Sequence, residues 1–119
     1  MNKATYGRRG VSADHPLAVS AGLEVLRSGG NAFDAAIAVS AVLTVVHPFS
    51  GGIGGDGFLL VLRGDEIIAY NGSGRSPHGF DPEAYIASKP VRGPLTVTVP
   101  GLVEMWGYIY EEYCSKDLD

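Results

Sequence analysis

The hydrophobic pattern in the first part of the chain predicts a helix that begins at Pro16. Apolar side chains recur there at intervals of three and four residues, at Val19, Leu23 and Leu26. Proline suits the first turn of a helix, and Asp14 just before it is the expected N-terminal cap. Two glycines at positions 29 and 30 end this helix.

A second helix is expected to start after Asn31, a typical capping residue, and to end at about His47, before Pro48. Asp34 places a negative charge in its first turn, where the helix dipole favours it. Its apolar residues cover every side: Phe33, Ala35, Ala36, Ile37, Ala38, Val39, Ala41, Val42, Leu43, Val45 and Val46. A helix that is apolar all round is expected to be buried all round. Because 119 residues can hardly supply layers on every side, this helix indicates a larger structure.

Two apolar runs in the middle of the chain predict a β-hairpin. Residues 58–62 form an uninterrupted apolar run typical of a buried strand, and residues 67–70 are the expected partner. The turn falls at residues 63–66, which include an Arg-Gly-Asp tripeptide that we interpret only as part of the turn.

The last third of the chain is predicted to hold two helices and a strand. A short helix is expected over residues 81–88, with Asp81 as its cap and Pro82 at its first position. Residues 95–99 alternate apolar residues with threonine, the pattern of a strand. A last helix should follow residues 100–101, with one apolar face formed by Val103, Trp106 and Tyr110. The complete pattern predicts an α+β fold.

Composition and charge narrow the class of protein. With 45% hydrophobic and 18% charged residues the chain is typical of a folded protein, and a net charge of −4 offers no basic surface for nucleic acid or an anionic membrane. The single cysteine, Cys114, cannot form an internal disulfide, and no His and Cys set has metal-ligand spacing, so no metal or other cofactor is expected. No secretory signal is evident, and the apolar run over residues 35–46 is shorter than the roughly 20 residues that span a bilayer. We therefore expect a cytoplasmic protein with no membrane partner.

Two segments are candidates for function. The chain has 17 glycines, an unusually high number, and several of them lie in residues 51–57. We call this segment the glycine loop. A helix precedes this loop and a strand follows it, the reverse of a phosphate-binding loop, so its glycines are expected mainly to permit close backbone approach. Arg75 lies in a glycine-flanked segment that leaves the hairpin, where a rigid scaffold can present a clamp for a carboxylate. A solvated loop arginine is the alternative.

Other residues with catalytic potential have simpler interpretations. Ser12, Asp14 and His15 are too close in sequence to be assigned as a triad, and a capping role is expected for Asp14 or His15. His47 is expected to terminate the second helix, and Cys114 to be a partly buried small residue on the last helix.

Several stretches together resemble the gamma-glutamyltranspeptidase family. The matching pieces keep the family's order and spacing and comprise residues 12–18, 21–26, 29–36, 47–48, 51–58 and 99–101. The most specific are the Gly-Gly-Asn-Ala-Phe-Asp-Ala-Ala string at 29–36 and the glycine loop. Asp56 departs from the family, which usually has glycine there.

The resemblance implies an N-terminal nucleophile hydrolase with a four-layer α/β/β/α sandwich, of which residues 1–119 form the N-terminal, incomplete part of the large subunit. In such enzymes the precursor cuts itself, and a threonine that begins the small subunit attacks a γ-glutamyl amide such as glutathione. The acyl group then passes to water or to an amino acceptor. None of Thr5, Thr44, Thr96 and Thr98 sits in the family's cleavage motif. The chain is therefore expected to hold no catalytic residue and to be inactive without the rest of the large subunit and the small subunit.

The resemblance also implies one substrate residue in this region, an arginine that binds the α-carboxylate of the glutamyl group in a segment ending in Ala-Pro. Counting back from Pro77 places Ser73 at the position of that arginine, and Arg75 follows two residues later. In an extended segment both side chains point the same way, about 6–7 Å apart. Either Arg75 replaces the missing arginine, or the substrate is a different acyl amide, as in acylase-like relatives. Arg75 and Ser73 are thus the two substrate-binding candidates.

A non-catalytic α/β binding or scaffold module derived from the same family is the alternative function. The reading frame of the gene separates the two. Continuation past Asp119 to a Thr-Thr or Thr-Ser dipeptide would favour the enzyme, and a stop codon would favour the module.

Overall fold

The computed structural model describes residues 7–117 and divides them into two compact units. The first unit contains the residues up to Ser50 and those from Ile109 onward, and the second contains Gly51–Tyr108. Within this range the elements are α1 (Pro16–Arg27), α2 (Ala32–Val46), β1 (Gly57–Arg63), β2 (Glu66–Gly72), α3 (Pro82–Ser88), a 3₁₀ turn (Pro94–Thr96) and α4 (Leu102–Tyr113). The mixture of helix and strand agrees with the predicted class. Thr5 lies outside the described residues.

None of the helices described between residues 7 and 117 is long and apolar enough to cross a membrane.

Helix α1 begins where the sequence predicts, but its cap is a different residue. The Nδ1 atom of His15 accepts a hydrogen bond from the backbone N–H of Leu17 at 3.2 Å. The expected cap, Asp14, was therefore the wrong one of the two candidates. Because Pro16 occupies the first helical position, the capping site falls on the residue directly before it.

Helix α2 has the predicted ends and a reciprocal cap. The Asn31 side-chain oxygen accepts from the backbone N–H groups of Phe33 at 2.7 Å and Asp34 at 3.1 Å. In return, the Asp34 carboxylate accepts from the Asn31 backbone N–H at 2.6 Å. This capping box satisfies donors that a helix otherwise leaves unpaired. His47 is the C-terminal cap, as predicted.

Helices α1 and α2 pack together through small residues. A Cβ atom added to buried Gly22 would lie 2.6 Å from Cγ2 of Val39, so the glycine permits the close approach. The expected burial of α2 on every side is not found, because α1 covers only part of it. Asp34 and Ala35 are its buried residues, and Val45 is 76% exposed.

The start of α2 is joined to the last residue of α4 and to the residues that follow it. The Asp34 carboxylate accepts from the Ser115 hydroxyl at 2.7 Å and from the Ser115 and Lys116 backbone N–H groups, each at 3.2 Å. The Asn31 side-chain amide donates to the Tyr113 carbonyl at 2.7 Å. These contacts join two segments of the first unit that lie about eighty residues apart in the sequence.

Burial and hydrogen bonding act in opposite directions on Asp34. Burial alone would raise its pKa, but hydrogen bonds from Asn31, Ser115 and Lys116 outweigh burial and lower the pKa from 3.8 to about 2. Cys114, one residue past the end of α4, shows the reverse, because burial and the adjacent Asp34 raise the pKa of its thiol to about 11. The Cys114 thiol is therefore protonated at neutral pH and is a poor nucleophile.

The second unit contains the predicted hairpin. Strands β1 and β2 pair antiparallel, with Gly57 opposite Gly72 at one end and Arg63 opposite Glu66 at the other. Arg63 and Glu66 also form an ion pair at 2.8 Å beside the two-residue turn. The turn at residues 63–66 is thus confirmed.

One face of the hairpin is apolar and exposed. Alternate residues of a strand share a face, and this face carries Phe58, Leu60, Leu62 and Ile67, which are exposed by 73%, 76%, 73% and 71%. The expectation of a buried strand is therefore not met by the part of the chain described. We call this surface the apolar hairpin face.

The other end of the hairpin receives the first turn of α4. A Cβ atom on Gly57 would lie 2.6 Å from Cδ1 of Leu102, and one on Gly72 would lie 2.8 Å from Cβ of Met105. Position 72 therefore requires glycine for α4 to pack this closely, and a side chain at Gly57 would force the ends of Leu102 and Met105 to move. The contact also determines which face of α4 is buried.

The buried face of α4 is one residue out of step with the predicted face. Leu102, Met105 and Ile109 are 7%, 6% and 2% exposed, whereas Val103 is 52% exposed. Both sets have helical spacing, and the glycine end of the hairpin contacts Leu102 and Met105 of the first set.

The strand predicted over residues 95–99 is wrong. Pro94–Thr96 form a 3₁₀ turn that follows Gly93, whose φ angle is 100°. Within this turn the Thr96 hydroxyl donates to the Gly93 carbonyl at 2.8 Å. The glycine and proline impose a turn that overrides the strand-like alternation.

The Asp34 cluster predicts a pH-dependent stability. The lowered pKa of Asp34 stabilises the fold in full above about pH 4, and the stabilisation is lost as the pH falls through about 2. We expect Asp34→Asn to lower the free energy of unfolding at pH 7 by about 2 kcal/mol. Urea unfolding of the chain followed by Trp106 fluorescence measures this change.

The control is Asp65→Asn, the same change in the exposed hairpin turn, for which no loss is expected. Equal stability of wild type and Asp34→Asn at pH 7, or a difference that persists at pH 1.5 to about the same extent, would contradict this account.

Candidate functional site

The glycine loop is folded so that it holds the beginning of α4. The Gly55 N–H donates to the Gly52 carbonyl at 2.9 Å, which closes a turn within the loop. The Gly55 carbonyl then accepts from the N–H groups of Gly101 at 3.1 Å and Leu102 at 3.0 Å. These donors are thus paired with the loop itself. This arrangement supports the structural interpretation of the loop over a phosphate site.

The next residue of the loop, Asp56, joins two other segments. Its Oδ1 atom accepts from the Gly74 N–H at 2.9 Å and from the Thr98 hydroxyl at 3.0 Å. Its Oδ2 atom accepts from the Thr98 hydroxyl at 3.2 Å and the Ser73 hydroxyl at 3.5 Å. One carboxylate therefore connects the glycine loop, the segment after β2 and the segment before α4.

These contacts also keep Asp56 ionised. The hydrogen bond from the Gly74 N–H lowers the pKa of Asp56, desolvation opposes this, and the bonds from Thr98 and Ser73 lower the pKa further. The carboxylate is therefore an acceptor at neutral pH, as the three donors around it require.

Ser73, one of the two substrate-binding candidates, is held on both its backbone and its side chain. Its N–H donates to Oδ1 of Asn71 at 2.9 Å, and its hydroxyl contacts Asp56. Ser73 is exposed in this structure. Its hydroxyl is thus oriented by the neighbouring carboxylate.

Arg75, the other candidate, is exposed while its backbone is fixed. Its carbonyl accepts from the Val99 N–H at 2.9 Å. The preceding residue, Gly74, lies so close to the Val99 carbonyl that an added Cβ atom would collide with it. The structure therefore brings Ser73 and Arg75 together on one anchored segment.

Sequence reasoning missed the roles of Asp56 and Thr98. Asp56 is visible in the sequence only as an acidic residue within a run of glycines, and its contacts are 17 to 42 residues away. Thr98 belongs to the alternating run that suggests a strand. The signal in the sequence that could have indicated this role is therefore a carboxylate within a glycine loop.

The three histidine side chains have other contacts. His15 and His47 cap helices. His78 lines a shallow pocket of about 420 Å³ together with Phe80, Tyr85 and residues 94–98. Among residues 7–117, no three His, Cys, Asp or Glu side chains lie close enough to hold a metal ion.

This mixed α and β architecture is shared with solved transpeptidases and acylases. Gamma-glutamyltranspeptidase of Helicobacter pylori superposes with a TM-score of 0.81 at 31% identity, over 98% of this chain and 36% of that chain. Cephalosporin acylase of Bacillus halodurans gives a TM-score of 0.77 at 35% identity, over 98% of this chain and 25% of that chain. The fold is thus that of one part of an enzyme of this class.

The family model described as gamma-glutamyltranspeptidase matches residues 18–119, and the chain belongs to this family. A glutathione hydrolase-like proenzyme of Bacillus subtilis is 44% identical over 119 residues, which are 95% of this chain and 23% of that relative. The chain therefore spans about a quarter of the length of this relative.

Proposed function

We propose that this chain is the N-terminal part of the large subunit of an enzyme that hydrolyses or transfers γ-glutamyl or related acyl amides. The observation that carries this proposal is the family match over residues 18–119, which includes the glycine loop and the segment bearing Arg75. The name of the Bacillus subtilis relative, a glutathione hydrolase-like proenzyme, supports glutathione as a substrate and processing into subunits.

In this proposal the chemistry begins on a threonine of the small subunit. Its hydroxyl oxygen attacks the γ-carbonyl carbon of the donor and loses its proton, the C–N bond breaks, and the amine leaves with a proton. Water or an amino acceptor then attacks the resulting ester, which releases the acyl group and returns the proton to the threonine. This chain contributes no group to these bond changes and acts in binding the donor.

Arg75 is the proposed contact for the α-carboxylate of the donor. A guanidinium binds a carboxylate through two charge-assisted hydrogen bonds, and the exposed side chain of Arg75 leaves an anchored backbone. Ser73 occupies the position of the family's arginine and is the second proposed contact. The pair places a charged donor and a small polar side chain on one segment.

The exposed apolar surfaces support the proposal that 1–119 is an incomplete domain. The apolar hairpin face and the outer sides of α2 are the surfaces that further layers of an α/β/β/α sandwich would cover. The proposed partners are the rest of the large subunit and the small subunit. We propose a cytoplasmic location, and we propose no cofactor.

Because the proposed nucleophile lies in the small subunit, activity is expected from the full-length enzyme and not from the isolated chain. The full-length, processed enzyme is expected to release the chromophore from a chromogenic γ-glutamyl amide, and the isolated 119-residue chain is expected to show no turnover because the nucleophile is absent from it. An absorbance assay of both preparations measures this. Turnover by the isolated chain would contradict the proposal, as would an inactive full-length enzyme after complete processing.

The carboxylate contact predicts a selective effect of Arg75→Ala in the full-length enzyme. Loss of a charge-assisted pair is expected to raise KM for a γ-glutamyl donor about 10- to 100-fold. Ser73→Ala removes a neutral contact and is expected to raise KM about two- to tenfold. Steady-state kinetics with wild type and each variant measure these changes.

Two controls make the Arg75 test specific. Arg92→Ala removes another exposed arginine and should leave KM unchanged. A donor that lacks the α-carboxylate should be processed by Arg75→Ala as it is by wild type. Unchanged KM for the γ-glutamyl donor in Arg75→Ala would show that Arg75 does not bind its carboxylate.

A further inference from the structure

We propose that Asp56 is a positioning residue for Arg75, and this inference rests on the function proposed above. A closed circuit of hydrogen bonds joins the two residues. Asp56 Oδ1 accepts from the Gly74 N–H at 2.9 Å and the Thr98 hydroxyl at 3.0 Å, and the Arg75 carbonyl accepts from the Val99 N–H at 2.9 Å. Gly74 is bonded to Arg75, and Thr98 to Val99, so the circuit is complete. We call it the Asp56 ring.

The ring fixes the backbone on both sides of the Arg75 Cα atom. The Gly74 N–H is held from one direction and the Arg75 carbonyl from the other. Gly74 also lies against the Val99 carbonyl with no space for a side chain. A long side chain on an otherwise irregular segment therefore leaves the backbone from a defined point, which lowers the cost of ordering it on a ligand.

Asp56 itself is already occupied by its protein partners. Its two oxygens accept four contacts from three donors, the Gly74 N–H and the hydroxyls of Thr98 and Ser73. A carboxylate offers about four lone-pair sites, and these three donors occupy most of them. Asp56 therefore acts through the segment that it holds, not by binding the donor.

The position of the charge gives the ring a second consequence. A free carboxylate near Arg75 would compete with the substrate carboxylate for the guanidinium or repel the substrate. The Asp56 carboxylate keeps its negative charge, and the three donors stabilise that charge by hydrogen bonding. We therefore expect a substitution that removes the charge of Asp56 but keeps an acceptor oxygen to raise KM less than one that removes the acceptor.

The full-length enzyme with Asp56→Ala tests the inference. We expect KM for a γ-glutamyl donor to rise about tenfold with kcat within about twofold of wild type, because the bound carboxylate is displaced while the nucleophile is unchanged. Asp56→Asn keeps an acceptor for the Gly74 N–H and should return KM to within about threefold of wild type. Asp65→Ala in the exposed hairpin turn is the matched control and should change neither constant.

A double-variant cycle separates positioning from general stability. In an Arg75→Ala background, Asp56→Ala should raise KM by no more than Ser73→Ala does in that background, because the Arg75 side chain is already gone and only Ser73 is still held by Asp56. Thr98→Val removes a single donor from the ring and should give a smaller KM rise in the same direction, which covers the case in which Asp56→Ala does not fold. Amide hydrogen exchange at Gly74 should be faster in Asp56→Ala than in wild type.

The outcomes distinguish this inference from the function on which it rests. No turnover by wild type would remove the proposed function. Wild-type turnover with KM unchanged in Asp56→Ala and in Thr98→Val would overturn only the inference. A KM rise of equal size with and without Arg75 would also overturn it, because a structural defect produces that result.

Discussion

Close backbone approach at the glycine end of the hairpin is the constraint on which the second unit depends. The Gly57 and Gly72 pair leaves room for Leu102 and Met105, so α4 begins directly against the sheet. The glycine loop then pairs with the first N–H groups of α4 through the Gly55 carbonyl. Side chains at the glycine pair would separate the elements whose contacts create the site.

The Asp56 carboxylate joins the segments that the glycines allow to approach one another. Glycines allow three segments to meet but form few specific contacts, and Asp56 supplies the hydrogen bonds that fix their register. In the first unit a different acidic residue, Asp34, joins the start of α2 to Ser115 and Lys116 in a comparable way. Both carboxylates have lowered pKa values because backbone and hydroxyl donors surround them.

The sequence was sufficient for features that depend on neighbours along the chain. Caps such as Asn31 and Asp81, and the boundaries of α1, α2, α3 and the hairpin, follow from local propensity and turn chemistry. It was insufficient where packing chooses between equivalent patterns, as in the buried face of α4. At Pro94–Thr96, Gly93 and Pro94 impose a 3₁₀ turn on residues whose alternation predicts a strand.

In the candidate site, too, local features follow from the sequence and long-range contacts do not. Arg75 and Ser73 were identified from the sequence and the family resemblance, and the shared anchor that holds both could not be, because its partners lie 17 to 42 residues apart. The layered sandwich stays a proposal, since the chain covers 23% of its Bacillus subtilis relative. Local sequence thus identifies which residues can bind, and tertiary contacts determine how they are held.

A crystal structure of the full-length enzyme with bound glutamate would show which residue binds the α-carboxylate. We expect the Arg75 guanidinium to lie about 2.7–2.9 Å from an α-carboxylate oxygen, with the Asp56 ring intact beside it. Glutamate bound with its α-carboxylate on other residues, and the Arg75 side chain directed into solvent, would contradict this expectation.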